Sequence, residues 1–132
     1  MREVNLYNGK NILVVDDCND NLLLMELLLQ SEGYKVTSAD SGMKGLAEIE
    51  KQVPDLIILD LMMPDISGLE IVRHLKSKRH ICNIPIILLT ANSDFGQGDI
   101  KDIDALCYKP FNIDYILRQI QSILVPNFRI AA

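Results

Sequence analysis

Acidic residues end two short apolar runs of the chain. Asp16 and Asp17 follow residues 11–15, and Asp60 follows residues 56–59. Three carboxylates that are held close together repel one another, so either their pKa values rise or a cation binds between them. Oxygen ligands of this kind suit Mg²⁺ better than a softer metal ion. If the fold brings these acids together, they predict a magnesium site.

Two other polar residues end apolar runs in the same way. Thr90 follows residues 85–89, and Lys109 follows residues 105–108. A lysine and a hydroxyl beside a bound metal ion are what a phosphoryl group requires, because its transfer depends mostly on positioning and on neutralising oxygen charge. Together with the acids, these residues predict phosphoryl transfer to Asp60. Each of them alone is also typical of a turn after a strand.

The runs that carry these residues are typical of buried β-strands. Strands alternate with helical patterns along the chain, which predicts an α/β fold with a doubly wound parallel sheet covered by helices on both sides. The predicted strands are 11–15, 34–38, 56–59, 85–89 and 105–108, and the predicted helices are 21–32, 41–51, 68–77 and 113–124. Parallel strands share one carboxyl edge, where ligands bind in such sheets, so we expect the polar residues to converge there.

Capping residues mark the ends of several predicted helices. We expect Asn19 and Asp20 to cap the first helix, Gly33 to end it and Asn112 to cap the last one. Residues 92–103 give the weakest pattern, because two glycines disfavour a long regular helix there.

The composition is typical of a single globular domain. The chain has 132 residues, of which 48% are hydrophobic and 23% charged, and this is enough for one core. A net charge of −5 argues against binding of nucleic acid. The three cysteines have no spacing typical of a metal site or a disulfide framework. We find neither an apolar run that could span a membrane nor a signal peptide, so we expect a cytoplasmic protein without a membrane partner.

Four motifs together resemble the receiver domains of two-component response regulators, among them the chemotaxis regulators. The motifs are Val14-Val15-Asp16-Asp17, Asp60-Leu-Met-Met-Pro64 with Gly68, Thr90-Ala91 and Lys109-Pro110-Phe111. The resemblance implies a flavodoxin-like (βα)5 fold with a five-stranded parallel sheet in the order 2-1-3-4-5. We expect the receiver domain at residues 10–125, an N-terminal extension at 1–9 and a C-terminal tail at 126–132.

The resemblance implies a role for each acid of the site. Asp60 is the expected phosphoacceptor, which takes the phosphoryl group from a phosphohistidine of a sensor histidine kinase or a histidine phosphotransfer protein. Asp17, Asp60 and the carbonyl of Met62 are expected to bind Mg²⁺, with Asp16 acting through water. The chain would be a signalling module in two-component signalling or a phosphorelay rather than a turnover enzyme, with part-catalytic self-phosphorylation and self-dephosphorylation.

The resemblance also implies residues that switch the conformation. Lys109 would pair with a phosphate oxygen, and Thr90 would move to bind another, while the small Ala91 leaves room for the phosphoryl group. Leu106 departs from the family, which usually has a tyrosine or phenylalanine three residues before the lysine. We therefore expect the segment that begins at Thr90 and Asn92 to respond to phosphorylation in place of an aromatic side chain, and the output partner to be of unknown kind. The resemblance further implies a cis peptide bond between Lys109 and Pro110.

The first helix offers a surface for the phosphodonor. We expect Leu23 and Leu27 to form an exposed stripe, because the opposite face of the helix is apolar at Leu24, Met25, Leu28 and Leu29. The alternative is that they are isolated surface leucines without a role.

Two other functions remain open. One is a receiver-like scaffold that binds partners without phosphorylation. The other is an aspartyl-phosphate phosphatase of the haloacid-dehalogenase type. That class has a second aspartate two residues after its nucleophile as the general acid, whereas this chain has Met62 there.

Overall fold

A computed structural model of the chain describes residues 9–91 and 101–125. In these residues five strands and four helices follow one another in the order β1 (Asn11–Val15), α1 (Asn19–Ser31), β2 (Lys35–Ala39), α2 (Gly42–Lys51), β3 (Leu56–Asp60), α3 (Gly68–Lys76), β4 (Ile86–Thr90), β5 (Ala105–Tyr108) and α4 (Ile113–Leu124). In the weakly patterned segment before β5, residues 92–100 lie outside the described residues. Residues 101 and 102 form a turn.

The five strands form one parallel sheet in the order β2-β1-β3-β4-β5. The predicted fold class and strand order are therefore confirmed. Strand β3 lies at the centre of the sheet between β1 and β4, and all five of its residues are buried. This position explains the run of β-forming residues that precedes Asp60, because both faces of the strand must be apolar.

Alternate residues of the central strands supply two separate cores, one on each face of the sheet. One core joins Ile57 and Leu59 to α2 and α3, and its helical members include Ile49, Ile71, Val72 and Leu75. The other core joins Leu56 and Ile58 to α1 and α4, and its helical members include Met25, Leu29, Ile116 and Ile120. Two cores of this kind fix the sheet between its helices and so fix the edge at which the strands end.

Most predicted helix ends are confirmed, but the start of α1 is not. The side chain of Asn112 accepts a hydrogen bond from the amide of Tyr115 at 3.1 Å, as a cap of α4 should. Gly33 follows α1 with a φ of 96°, which favours glycine. Helix α1 begins at Asn19, so the expected capping by Asn19 and Asp20 is wrong. The N-cap residue is Cys18, and its backbone amide donates a hydrogen bond to Oδ1 of Asp16.

The buried face of α1 also differs from the prediction at one position. Leu24 is 46% exposed, whereas Leu22 is 7% exposed and packs in the core with Met25. The packing of α1 against the sheet places Leu22 in the core and leaves Leu24 exposed. The predicted exposure of Leu23 and Leu27 is confirmed. No helix in the described ranges is long and apolar enough to cross a membrane.

Candidate functional site

The polar residues singled out in the sequence meet at the carboxyl edge of the sheet. Asp16 and Asp17 follow β1, Asp60 ends β3, Thr90 ends β4 and Lys109 follows β5. Because β3 lies between β1 and β4, its last residue is central among them. Backbone hydrogen bonds continue past the strand ends, from the amide of Lys109 to the carbonyl of Thr90 at 2.8 Å. The edge is thus held in register where the polar side chains begin.

Three carboxylates cluster at this edge. Asp16, Asp17 and Asp60 each place an oxygen within 4.8 Å of the others. Asp16 and Asp60 are buried and Asp17 is exposed, so the cluster opens to solvent on one side. Carboxylate oxygens are hard donors, and three of them with room for water ligands suit the octahedral shell of Mg²⁺. The residues present therefore fit a magnesium ion.

Lys109 forms ion pairs with both buried acids. Its Nζ atom lies 3.3 Å from Oδ2 of Asp16 and 3.3 Å from Oδ2 of Asp60. The same atom lies 5.9 Å from the centre of the Phe111 ring, which covers one side of the lysine. One cation thus balances part of the negative charge of the cluster and leaves a net negative site.

The electrostatics of the site change the protonation of its groups. Burial raises the pKa of Asp60 from 3.8 to about 6, although the charge of Lys109 opposes this change. For Lys109, burial alone would lower the pKa, but the carboxylates of Asp60 and Asp16 outweigh it and the pKa is raised. Asp60 is therefore ionised at neutral pH but at an energetic cost, and Lys109 stays charged.

Hydrogen bonds orient the two buried acids. Oδ1 of Asp16 accepts from the amide of Cys18 at 2.9 Å, and Oδ2 accepts from Nδ2 of Asn21 at 3.4 Å. Oδ1 of Asp60 accepts from the amide of Met62 at 3.3 Å. The contact of Asn21 was missed by the sequence analysis. The sequence marks Asn21 only by its place in the first turn of α1, the helix that follows the acids. A side chain there can point back toward the strand end.

Gly68 packs closely against the backbone at the end of β3. A Cβ atom at Gly68 would lie 2.6 Å from the carbonyl oxygen of Asp60 and 2.9 Å from Cα of Leu61. The amide of Gly68 also donates to the carbonyl of Leu61 at 2.8 Å. A side chain there would push on the backbone that carries Asp60, which gives a physical reason for the glycine of the motif.

The predicted switch residues lie in different environments. Thr90 is fully buried at the end of β4, and Ala91 is exposed directly after it. Leu106 is buried in the core, and Asn92 lies outside the described residues. The side chain of Met62 is 70% exposed. The peptide bond between Lys109 and Pro110 is cis, as predicted.

A family profile described as the response regulator receiver domain matches residues 12–121, which include the whole cluster described above. The chain belongs to the response regulator receiver domain family. As a receiver domain it is a phosphoacceptor module of two-component signalling with an acidic aspartate pocket.

Curated relatives of this receiver domain include response regulators of several bacteria. The response regulator ArlR of Staphylococcus aureus is 39% identical over 116 residues, which cover 86% of this chain and 52% of the relative. The response regulator PleD of Caulobacter vibrioides is 42% identical over 88 residues, which cover 67% of this chain and 19% of the relative. The receiver domain thus spans about half or less of these relatives.

Solved structures of receiver domains are similar over nearly their full length. The response regulator TrrA of Thermotoga maritima, solved in complex with Mg(2+)-BeF, is 36% identical with a TM-score of 0.78, covering 86% of this chain and 98% of that chain. The chemotaxis response regulator CheY4 of Vibrio cholerae is 27% identical with a TM-score of 0.79, covering 88% of this chain and 99% of that chain.

Proposed function

We propose that Asp60 is the phosphoacceptor of this receiver domain and that it takes the phosphoryl group from a phosphohistidine in a Mg²⁺-dependent reaction. The observation that carries the proposal is the setting of the Asp60 carboxylate. It is buried, ion-paired with Lys109 and within 4.8 Å of oxygens of Asp16 and Asp17. No other described aspartate combines a buried carboxylate at the end of the central strand with these neighbours.

The chemistry follows from the carboxylate as a nucleophile. An oxygen of ionised Asp60 attacks the phosphorus atom, the bond from phosphorus to the imidazole nitrogen breaks, and its electron pair returns to the imidazole. The product is an acyl phosphate on Asp60. Lys109 favours the ionised carboxylate against the effect of burial, so that the nucleophile is present at neutral pH. Water later attacks the acyl phosphate, releases phosphate and restores Asp60, which is the self-dephosphorylation that we include in the proposal.

The neighbours of Asp60 supply positioning and charge. Mg²⁺ held by Asp16, Asp17, Asp60 and the carbonyl of Met62 would neutralise charge on the phosphoryl oxygens. Lys109, which already lies 3.3 Å from Asp60, pairs with one phosphate oxygen after transfer.

Residues around the cluster control the later steps. We propose that the Thr90 hydroxyl turns to bind a phosphate oxygen and that the small side chain of Ala91 leaves space for the group. The exposed side chain of Met62 limits the approach of hydrolytic water. The conformational change alters the binding of an output partner. We propose Asn92 and Leu106 as positions that modulate this change.

Receiver domains interact with histidine kinases and with output domains, and we propose that the donor here is a sensor histidine kinase or a histidine phosphotransfer protein. The net charge of −5 supports a protein partner over nucleic acid. We propose a cytoplasmic location, because the ATP that phosphorylates such donors is there. The family match to residues 12–121 supports a receiver domain at 10–125, with an extension at 1–9 and a tail at 126–132.

Labelling with a radioactive small phosphodonor tests the proposal. We expect the wild type to take up acid-stable, base-labile phosphate only with Mg²⁺, and Asp60→Asn to take up none. Asp55→Asn is the matched control, because it makes the same change at the other end of the same strand, where Asp55 accepts a hydrogen bond from the amide of Asn11 at 2.7 Å. Equal labelling of Asp60→Asn would refute the acceptor. An unlabelled wild type would favour a scaffold that works without phosphorylation.

A further inference from the structure

The N-terminus of α2 is capped by a residue far away in the sequence. Oδ1 of Asp65 accepts from the amide of Gly42 at 3.1 Å, and Oδ2 accepts from the amide of Met43 at 2.9 Å. The third amide of this turn, that of Lys44, donates to Oγ of Ser41 at 3.2 Å. The first amides of a helix lack partners within it, so Asp65 and Ser41 divide this turn between them.

A second contact joins the same two segments. A Cβ atom at Gly42 would lie 2.0 Å from Cγ2 of Ile66 and 3.3 Å from the carbonyl oxygen of Ile66. The side chain of Ile66 therefore lies directly over the first residue of α2. Two successive residues, Asp65 and Ile66, hold their loop against the helix, one by hydrogen bonds and one by packing.

That loop begins at the phosphoacceptor. We call residues 61–67 the acceptor loop, since they join Asp60 to α3. Near its start the amide of Met62 donates to Oδ1 of Asp60 at 3.3 Å. Asp65 is three positions after Met62 in the chain, and three residues span at most about 11 Å. A shift of Asp65 is therefore transmitted to Met62 over a short length of chain.

We propose that Asp65 is a positioning residue for phosphoryl transfer, because it fixes the acceptor loop to α2 and so keeps Met62 in place beside Asp60. The inference rests on the proposed function of Asp60. Hydrogen bonds from the amides of Met43 and Gly42 hold the pKa of Asp65 below its ordinary value, so the carboxylate is ionised at neutral pH and suits the positive end of the helix dipole.

Two alanine variants separate positioning from simple capping. Asp65→Ala and Ser41→Ala each remove a side-chain cap from the same helix end, but only Asp65 belongs to the acceptor loop. Phosphorylation by a small phosphodonor is followed at saturating Mg²⁺ and at a temperature where circular dichroism shows every variant folded. We expect the rate constant of Asp65→Ala to fall by about 3- to 10-fold, less than the roughly 100-fold that a misplacement of about 1 Å can cost. The rate constant of Ser41→Ala should stay within about 2-fold of the wild-type value, since this substitution leaves the acceptor loop bonded to α2 through Asp65.

Two further variants test the same contact from both sides. Asp65→Asn retains one oxygen that can accept a hydrogen bond, so its rate should lie between those of Asp65→Ala and the wild type. This variant decides the question if Asp65→Ala does not fold. Gly42→Ala should displace Ile66 from the α2 side and lower the rate as well.

Hydrogen exchange supplies a readout that does not depend on the reaction. Amides of the acceptor loop should exchange faster in Asp65→Ala than in Ser41→Ala, although both variants lose a cap. Equal phosphorylation rates for these two variants, or equal exchange in the loop, would overturn the role of Asp65 while leaving Asp60 as acceptor. A wild type that takes up no phosphate would instead overturn the proposed function, and this inference with it.

Discussion

Nζ of Lys109 lies 3.3 Å from Oδ2 of Asp60, yet this ion pair does not fully offset the burial of the carboxylate. The pKa of Asp60 is raised from 3.8 to about 6, with burial as the largest cause. Ionised Asp60 therefore destabilises the metal-free domain at neutral pH. A carboxylate that is kept charged at such a cost is a candidate functional group, in keeping with the proposed role of Asp60.

The raised pKa predicts that Asp60→Asn stabilises the metal-free protein at pH 7.5. The folded state has the higher pKa, so the penalty is fully present above about pH 6 and disappears as the pH falls through 3.8. We expect a gain on the order of 1–3 kcal/mol in the free energy of unfolding at pH 7.5. Urea unfolding in the presence of chelator, at pH 7.5 and near pH 4, measures it. A gain that is the same at both pH values would contradict the assignment of the raised pKa.

Mg²⁺ is expected to raise the midpoint of thermal unfolding. The cation relieves the repulsion among Asp16, Asp17 and Asp60, and each tenfold excess over its dissociation constant adds about 1.4 kcal/mol. Thermal scans with millimolar MgCl₂ and with chelator at matched ionic strength provide the measurement. Asp17→Asn should reduce the response, because it removes one ligand. Coincident midpoints for the wild type would show that the cluster does not bind the metal.

The exposed leucines of α1 are expected to dock the phosphodonor protein. Leu23 and Leu27 are 57% and 58% exposed, and Leu24 beside them lines an open cleft with Lys109 and Phe111. Apolar side chains exposed next to an active edge are typical of a protein contact. The double variant Leu23→Ser, Leu27→Ser should slow transfer from a phosphohistidine protein but not from a small phosphodonor.

A matched control for this surface lies elsewhere on the domain. Val53 is 49% exposed and precedes β3, at the opposite end of the strand from Asp60. Val53→Ser should leave both transfer rates unchanged. Docking through the leucines is refuted if the double variant and Val53→Ser accept phosphate from the protein donor at the same rate.

Phosphorylation is expected to act mainly on residues 90–103 rather than on the last strand. Leu106 is buried in the core and has neither a ring nor a hydroxyl, so it cannot exchange an exposed polar position for a buried one. Hydrogen exchange with and without beryllofluoride, a phosphate mimic, should change most in 90–103. Changes centred on 106–111, with 90–103 unaltered, would place the switch in the last strand.

The sheet and the cluster at its edge could be predicted from the sequence because each depends on a local pattern. A parallel strand that is buried on both faces reads as a short apolar run, and the residue after it must lie at the carboxyl edge. Asp60 and Thr90 were found in this way. The cap at Asn112 was also predictable from local sequence, since it caps the helix that directly follows it.

Apart from the local contact between Asn21 and Asp16, the features that were missed depend on the packing of segments that are not adjacent in sequence. Asp65 bonds to amides 22 and 23 residues before it, and no spacing in the sequence marks that pair. Leu24 was predicted to share an apolar helix face with Met25, Leu28 and Leu29, but the rotation of α1 on the sheet decides which leucines are covered. Helix propensity predicts that a segment is helical, whereas tertiary packing determines how the helix is rotated about its axis on the sheet.

Strand β3 has no exposed residue and is bonded to a neighbouring strand on each side, from β1 at one flank to β4 at the other. In mechanical terms this strand is stiff, and charge added at its end cannot be accommodated by movement of the strand itself. We expect the displacement to pass instead to contacts of the Asp60 side chain, which include the hydrogen bond from the amide of Met62 and the ion pair with Lys109. Different partners could therefore sense one phosphoryl group from different directions without sharing a surface.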